Sequence, residues 1–337
     1  MDSLTQIVLG AAVAAAITPP QHRRAALMAG AALGTLPDLD SLVLMPLGLD
    51  PVDRMTWHRG PSHSLFVLAP LAVIFWAAFK RRGGRVAESP VRWFWAILLA
   101  LVTHPLLDAL TVYGTQLWWP MAVPPTMWST VFIIDLAYTL PLLVACLLAW
   151  RWRDAQAAQR ALVVGLALSS AYLGWSFMAK AQVDRATEQT LAAMGLQDAP
   201  RFSVPMPFNT LLWRVVVMTP QGYLAGQYSV LADQGPIRLH PQPSAVAALA
   251  AVRDFPAVSR LAWFNHGFMS AQEVDGRLVL SDLRMGVEPD FIFRFTVAAR
   301  GGQGWKAVAP IQAPVSMASI RRLPEIWHRI GSPEPTP

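Results

Sequence analysis

Only one cysteine, Cys146, occurs in 337 residues. An internal disulfide is excluded, and so is a cysteine-ligated zinc site, which leaves His, Asp and Glu as the available metal ligands. Charge is scarce as well: 14% of the residues are charged, against about 25% in an ordinary soluble domain. The deficit lies between Asp2 and Lys180, and ordinary charge density returns from Ala181 onward. A cationic stretch before the first apolar run is also missing. Met1–Gln6 leads straight into Ile7–Ile17, which argues for a first membrane helix and against a cleavable signal peptide.

Apolar sequence is abundant: 54% of the residues are hydrophobic. Six runs approach the roughly 20 residues that a helix needs to cross the hydrocarbon: Leu4–Thr18, Ala25–Met45, Ser64–Phe79, Trp93–Tyr113, Val131–Trp150 and Ala161–Ala179. The first and third are short, and Pro37-Asp38-Leu39-Asp40 breaks the second. The expected fold is therefore a polytopic α-helical membrane domain of about six spans, or four plus a re-entrant pair, over residues 1–180. A soluble α+β domain follows over 181–330, then a disordered Pro-rich tail over 331–337.

The net charge of +6 comes from clusters that flank apolar runs, namely His22-Arg23-Arg24, Lys80-Arg81-Arg82 and Arg151-Trp152-Arg153. That is a positive-inside pattern, and no nucleic-acid-binding motif accompanies it. Loops Gln21–Arg24, Lys80–Arg92 and Arg151–Arg160 hold ten Lys or Arg, whereas Pro46–Ser62 and Gly114–Thr130 hold only Arg54 and Arg59. The first set is expected in the cytoplasm. The N-terminus and the C-terminal domain then face the periplasmic or outer side. In that domain Leu211–Met218 and Tyr223–Leu231 flank a hairpin signal, Thr219-Pro220-Gln221-Gly222. Leu278–Leu280, Phe291–Val297 and Trp305–Val308 continue the strand pattern; Ser244–Arg253 and Met317–Ile330 read as helices.

Four features at the predicted outer ends of the spans carry chemistry: Leu36-Pro37-Asp38-Leu39-Asp40, His58-Arg59-Gly60-Pro61-Ser62-His63-Ser64, His104-Pro105-Leu106-Leu107-Asp108, and Asp135. Ionisable groups in apolar spans are costly and usually serve a function. His104 and Asp108 are four apart, on one helix face, with Pro105 starting or kinking that turn. His58 and His63 flank a Gly-Pro turn that can direct both rings to one point. Mixed His and Asp donors suit zinc first, with manganese or iron as alternatives, and six ligands suffice for one or two ions. Such an ion lowers the pKa of bound water and makes it a nucleophile at neutral pH. Each residue also has a plainer reading. His104 alone could be an ordinary interior histidine, Asp38 and Asp40 could cap a helix, and Asp135 could pair with Arg59. His22 reads as part of the cytoplasmic charge cluster, Trp213 as core, and Arg284 as the partner of Asp282 or Glu288.

Met1-Asp2-Ser3-Leu4-Thr5-Gln6-Ile7-Val8-Leu9-Gly10, the Asp38/Asp40, His58/His63 and His104/Asp108 motifs, Thr111 and Tyr113-Gly114-Thr115 together resemble the bacterial YdjM-like membrane-bound metal-dependent hydrolases. The likeness runs in order over about residues 1 to 140. It implies a multi-pass inner-membrane protein with a divalent-metal site at Asp38, Asp40, His58, His63, His104 and Asp108. Some relatives carry His where this chain has Gln6, a weaker ligand.

The expected function is hydrolysis of an ester or phosphoester of a lipid or other amphipathic substrate, by a metal-activated water. Asp38 or Asp40 would serve as further ligand or general base, and Arg59 would stabilise developing negative charge. The alternatives are an ion or proton transporter using intramembrane Asp and His, or a structural protein whose helices are fixed by metal. The sequence leaves the substrate, the metal and the oligomeric state open.

Overall fold

The computed structural model describes residues 1–302, 304–314 and 322–334. Its chain divides into two compact units: Met1–Val43, His58–Trp128 and Ile133–Trp175 form one, and Leu44–Trp57, Ser129–Phe132 and Ser176–Pro337 the other.

The first unit is helical. Its elements are α1 (Ser3–Ile17), α2 (Arg23–Thr35), α3 (Leu65–Arg81), α4 (Pro90–Ala109), α5 (Leu136–Arg151) and the start of α6 (Ala155–Met194). Among the described residues, three helical stretches are long and apolar enough to cross a membrane: Pro20–Leu47, which contains α2, then α4 and α6. A fourth crossing results if Pro51–His63 is counted with α3. The six spans read from the sequence are therefore not all met by length. α1 and α5 are apolar but have 15 and 16 residues, about 23 Å of helix against about 30 Å of hydrocarbon.

Glycines set the closest helix contact. α1 crosses α2 where Gly10 meets Gly30 and Gly34; a Cβ on Gly10 would lie 2.3 Å from the Gly30 carbonyl oxygen, and one on Gly34 would lie 2.5 Å from that of Gln6. The Gly30-xxx-Gly34 spacing lets the two backbones touch, as small residues do between membrane helices.

The basic ends of the helices meet one another. Arg23 Nη2 donates to the Trp152 carbonyl (2.7 Å) and Arg24 Nε to that of Trp150 (3.1 Å), capping the C-terminus of α5. His22 differs from its sequence reading. Its ring is buried, accepts from Trp93 Nε1 at Nδ1 (3.1 Å), and so donates from Nε2 to Glu88 (2.8 Å). A ring held between an indole donor and a carboxylate is a specific helix tie, which its neighbours Arg23 and Arg24 in the sequence obscured.

α6 does not stop at residue 180. Ala179, Val183, Ala186 and Leu191 continue down one face and bury against Trp213, Val215, Val217 and Leu224 of the first sheet. This sheet runs β1 (Arg201–Pro205), β2 (Leu212–Thr219), β3 (Gly222–Ser229), β4 (His240–Pro243), all antiparallel. The β2–β3 turn is Pro220-Gln221, inside the hairpin signal. A second antiparallel sheet follows the order β10-β9-β6-β5, made of β5 (Met269–Val274), β6 (Arg277–Asp282), β9 (Arg294–Gly301) and β10 (Gly304–Gln312). Between β6 and β9, β7 (Gly286–Val287) and β8 (Asp290–Phe291) form a small ladder. Asp275 and Gly276, at φ 49° and 69°, make the β5–β6 turn, as a two-residue hairpin requires.

Besides the latter part of α6 and the short helix Pro51–Trp57, the described residues of this unit form α7 (Val246–Val252), α8 (Pro256–Phe264) and α9 (Leu323–Gly331). Residues 317–321 of the expected terminal helix, and 335–337 of the expected tail, lie outside the described residues. Trp213 is fully buried, as its core reading required. Asn209 Oδ1 accepts from the backbone N–H groups of Leu211 (2.9 Å) and Leu212 (2.8 Å), a local turn role.

Arg284 pairs with Asp282 (2.7 Å), and Arg214 is the guanidinium that binds Glu288 and the Leu283 carbonyl (2.6 Å). Burial pushes the Glu288 carboxyl up, but the Arg214 charge and hydrogen bond outweigh that and hold it below its usual value. A depressed carboxylate contributes stability above its unfolded value of about 4.3, and that stability is lost as pH falls through the lower folded value. Thermal melts from pH 7 to 3 are therefore expected to show a fall in stability below about pH 4 in the wild type. Glu288→Gln should melt lower at pH 7 and lack that part of the fall. An unchanged slope would remove the pair from the stability of this unit.

Candidate metal centre

Two short turns and one helix face converge at the end of the helical unit away from the basic cluster. α4 passes Pro105 unbroken, so His104 and Asp108 stand one turn apart on a buried face, with His104 Nε2 3.4 Å from Asp108 Oδ2. Gly60-Pro61 opens a 3-10 turn, Pro61–His63, that directs the His63 ring inward. Asp38 lies in the 3-10 turn Leu36–Leu39 that continues α2.

His63 Nε2 is 3.1 Å from His104 Nε2, 3.3 Å from Asp38 Oδ1 and 3.2 Å from Asp108 Oδ2. His104 Nε2 is 3.4 Å from Asp38 Oδ1. One donor atom from each of the four residues thus lies within 4.8 Å of all the others. A tetrahedral ion with bonds of about 2.0–2.1 Å has ligand–ligand edges of about 3.3–3.4 Å. Five of the six edges here are 3.1–3.4 Å.

The protons on the two rings follow from their partners. His104 Nδ1 faces the Gly34 carbonyl at 2.5 Å, and since a carbonyl only accepts, Nδ1 carries the hydrogen. Ser62 Oγ donates its single proton to Asp40 Oδ2 (2.8 Å), so it accepts from His63 Nδ1 (2.9 Å). In the neutral form of each ring Nε2 is then the lone pair, and the two Nε2 atoms face each other beside two carboxylates. Four converging lone pairs repel unless a cation lies among them. Asp108 Oδ2, buried without a hydrogen-bond partner, adds the orphaned acceptor that such an ion would satisfy. The donor set fits a divalent metal, and the buried Asp/His cluster could hold one.

Arg59 and Gln6 hold Asp108 in place. Arg59 Nε is 3.2 Å from Asp108 Oδ2 in a Coulombic contact, its Nη1 donates to Thr111 Oγ1 (3.2 Å), and its guanidinium carbon lies 4.9 Å from the Tyr113 ring centre. Gln6 Nε2 and the α-amino group of Met1 donate to Asp108 Oδ1, the former at 3.0 Å. Arg59 takes φ 60°, a left-handed conformation rare outside glycine, and its backbone N–H donates to Asp40 Oδ2 (3.0 Å).

The six residues expected as ligands divide into four and two. Asp38, His63, His104 and Asp108 share one point. Asp40 and His58 form a neighbouring pair, Asp40 Oδ1 to His58 Nδ1 at 2.9 Å, with Asp40 turned toward Ser62 and the Arg59 backbone. Arg59 sits on a candidate ligand carboxylate. Asp135 does not pair with Arg59. It caps α5, accepting from the backbone of Ala137 (3.1 Å) and Tyr138 (3.3 Å) and from Tyr172 Oη (2.8 Å). Gln6 contributes an amide donor, because its Nε2 is the atom that faces the carboxylate. Two contributors escaped the sequence reading. The Gly34 carbonyl had a signal in the Gly30-xxx-Gly34 spacing; Ser62 had none beyond its place between the histidines.

Membrane-type helices whose ends enclose a buried Asp₂His₂ cluster define the class. The chain belongs to the YdjM inner membrane protein family, whose sequence pattern matches residues 1–183. No curated protein and no solved structure matches it. The family and the apolar helices together support residence in the inner membrane.

Proposed function

We propose that the Asp38, His63, His104 and Asp108 centre holds one divalent ion, zinc by its donor set, and that the protein is a membrane-bound hydrolase of an ester or phosphoester. The carrying observation is the convergence of four His and Asp donor atoms, five of their six separations falling at 3.1–3.4 Å. When bound, the ion supplies Lewis acidity, acidifying a water and polarising the oxygen of the scissile group.

The protein's own groups have separable tasks. Ser62 and Gly34 orient the two imidazoles, and such outer partners are worth about 10–100-fold in metal affinity. Arg59 holds Asp108 in place and is a positioning residue. His58 is held by Asp40 at Nδ1 and is a quarter exposed, which suits it to carry a proton between the centre and its surroundings. Asp38, one-fifth exposed, marks the open side, while His63, His104 and Asp108 are sealed.

A six-crossing topology suits this reading, with α1 and α5 as short spans. The Arg-rich loops sit together at one end of the helical unit and the centre at the other, which by the positive-inside rule supports a periplasmic side for the centre; the same rule with six crossings supports that side for the C-terminal unit. A transporter is less well supported, since the spans' inner halves offer no relay of acidic groups below the cluster. A closed structural metal site is favoured by one feature, that all four donors come from protein.

Metal removal separates these readings. Purified protein in nanodiscs is expected to release product from an amphipathic ester or phosphoester panel, to lose that activity on dialysis against a chelator, and to regain it with zinc. Metal that binds with no turnover across the panel would leave the structural reading standing.

A further inference from the structure

We infer that the centre opens sideways into the bilayer, across a lip formed by Leu39, Leu42 and Val43, so that its ligand is an amphiphile approaching from the acyl-chain region. This deepens the hydrolase reading and rests on it for the ligand; the geometry of the lip stands without it.

Depth is the first ground. Arg24 and Arg92 anchor α2 and α4 at the basic end. At 1.5 Å per helical residue, Asp38 lies about 21 Å beyond Arg24, and His104 and Asp108 lie about 18 and 24 Å beyond Arg92. Two separate helices therefore put the donors short of the far edge of a hydrocarbon layer about 30 Å thick, and helix tilt brings them deeper still. Leu42 and Val43 fall about 27 and 29 Å beyond Arg24, at that edge.

Closure is the second. Among the four donors, the side chains of His63, His104 and Asp108 have no exposure and Asp38 has 20%. The open side is the one that Asp38 occupies. There the chain displays large aliphatic groups, with Leu39, Leu42 and Val43 exposed by 43%, 63% and 65%. Leu42 follows Asp38 by four residues.

Continuity is the third. Between residues 24 and 43 the exposed positions are Arg24, Met28, Ala32, Leu39, Ser41, Leu42 and Val43, with Ser41 the one polar side chain among the last four. Met28, 65% exposed, lies about 6 Å beyond Arg24, inside the hydrocarbon layer on the basic side. The lip prolongs that lipid-facing surface up to the mouth of the centre. Acyl chains are thus the occupant that the span already faces, and a lipid lying along Leu42 and Val43 would bring its headgroup to Asp38.

Site-directed spin labels test this with no need of activity or metal. Single cysteines at Leu39, Leu42 and Val43, in a Cys146→Ser background, are labelled in nanodiscs of phosphatidylglycerol and phosphatidylcholine. Their collision with oxygen is compared with that of a water-soluble nickel chelate. The expected ratio at all three favours oxygen, as at a label on Met28, and is opposite to that at a label on Arg82. A ratio favouring the nickel chelate would mean that the lip faces water, and would overturn the proposal. Spin–spin broadening between copies would mean that a second chain covers it, and would overturn it equally. In a second arm, a phosphatidylglycerol with a photoreactive acyl chain should label residues 39–43 of the unsubstituted protein, and Leu42→Asp/Val43→Asp should lose that adduct while keeping the one at Met28. Loss of metal binding with the lip still labelled would fail the hydrolase reading alone. An unlabelled lip in protein that retains metal would fail this one alone.

Discussion

Asp108→Asn is expected to abolish metal binding and to destabilise the helical unit by about 3–5 kcal/mol, the usual cost of removing one partner from a buried ion pair. Asp108 is fully buried, and its two oxygens face Arg59 on one side and Gln6 with the Met1 amino group on the other. An amide of the same shape leaves the Arg59 guanidinium without its counter-charge and presents no anionic oxygen to an ion. Arg59→Met combined with Asp108→Leu is expected to recover part of the stability, because the unpartnered guanidinium is gone while the Met1 amino group still lacks its acceptor, and to recover none of the metal. Thermal unfolding in detergent and metal content on the same samples read both effects. Stability near wild type in Asp108→Asn would mean that the pair is not the electrostatic keystone of this end of the bundle.

The histidines give the second large effect. His63→Ala and His104→Ala should each reduce bound metal to background, since each removes one of four donors and leaves a lone pair on the other ring unmatched. Ser62→Ala is expected to keep the metal but to bind it about 10–100-fold more weakly, because of the four donors it touches His63 alone, and at the nitrogen away from the ion. His58→Ala should bind as wild type does if His58 lies outside the ligand set, its ring being engaged by Asp40. Competitive titration against a chromophoric chelator resolves the three levels. Equal affinity in Ser62→Ala and wild type would remove the serine relay, and retained metal in His104→Ala would remove the centre itself.

Much of the site was readable because the physics that makes it costly is local. Asp38, His63, His104 and Asp108 are ionisable residues in apolar runs, and His104 and Asp108 announce a common helix face by their spacing alone. Whether Asp40 and His58 would join them was not readable. That choice depends on where Ser62 Oγ and the backbone N–H of Arg59 point, and both are consequences of a left-handed residue at Arg59 that no propensity predicts. Which of the alternatives held for Asp135 was hidden for a related reason. Asp135 and Asp108 both fall at the ends of apolar runs, and only the packed structure shows that Asp135 is consumed by the cap of α5 and by Tyr172.

At the level of the fold, the β2–β3 hairpin and the Asp275-Gly276 turn carried explicit turn chemistry and lie where it put them. Short strands without that chemistry, such as β1 and β4, passed unnoticed, as did α8. The extent of α6 was obscured by composition, since a helix leaving an apolar environment changes its residue types without changing its backbone. Ala179, Val183 and Ala186 keep helical spacing across that change, and it was the charge around them that suggested a boundary.

The most direct measurement is metal analysis of the purified wild-type protein, combined with X-ray absorption at the edge of the metal found. The expected result is about one ion per chain with a first shell of four nitrogen or oxygen ligands at about 2.0 Å, including imidazole scattering and no sulfur. Protein that stays metal-free after exposure to zinc, manganese and iron would contradict the centre, as would a shell without imidazole.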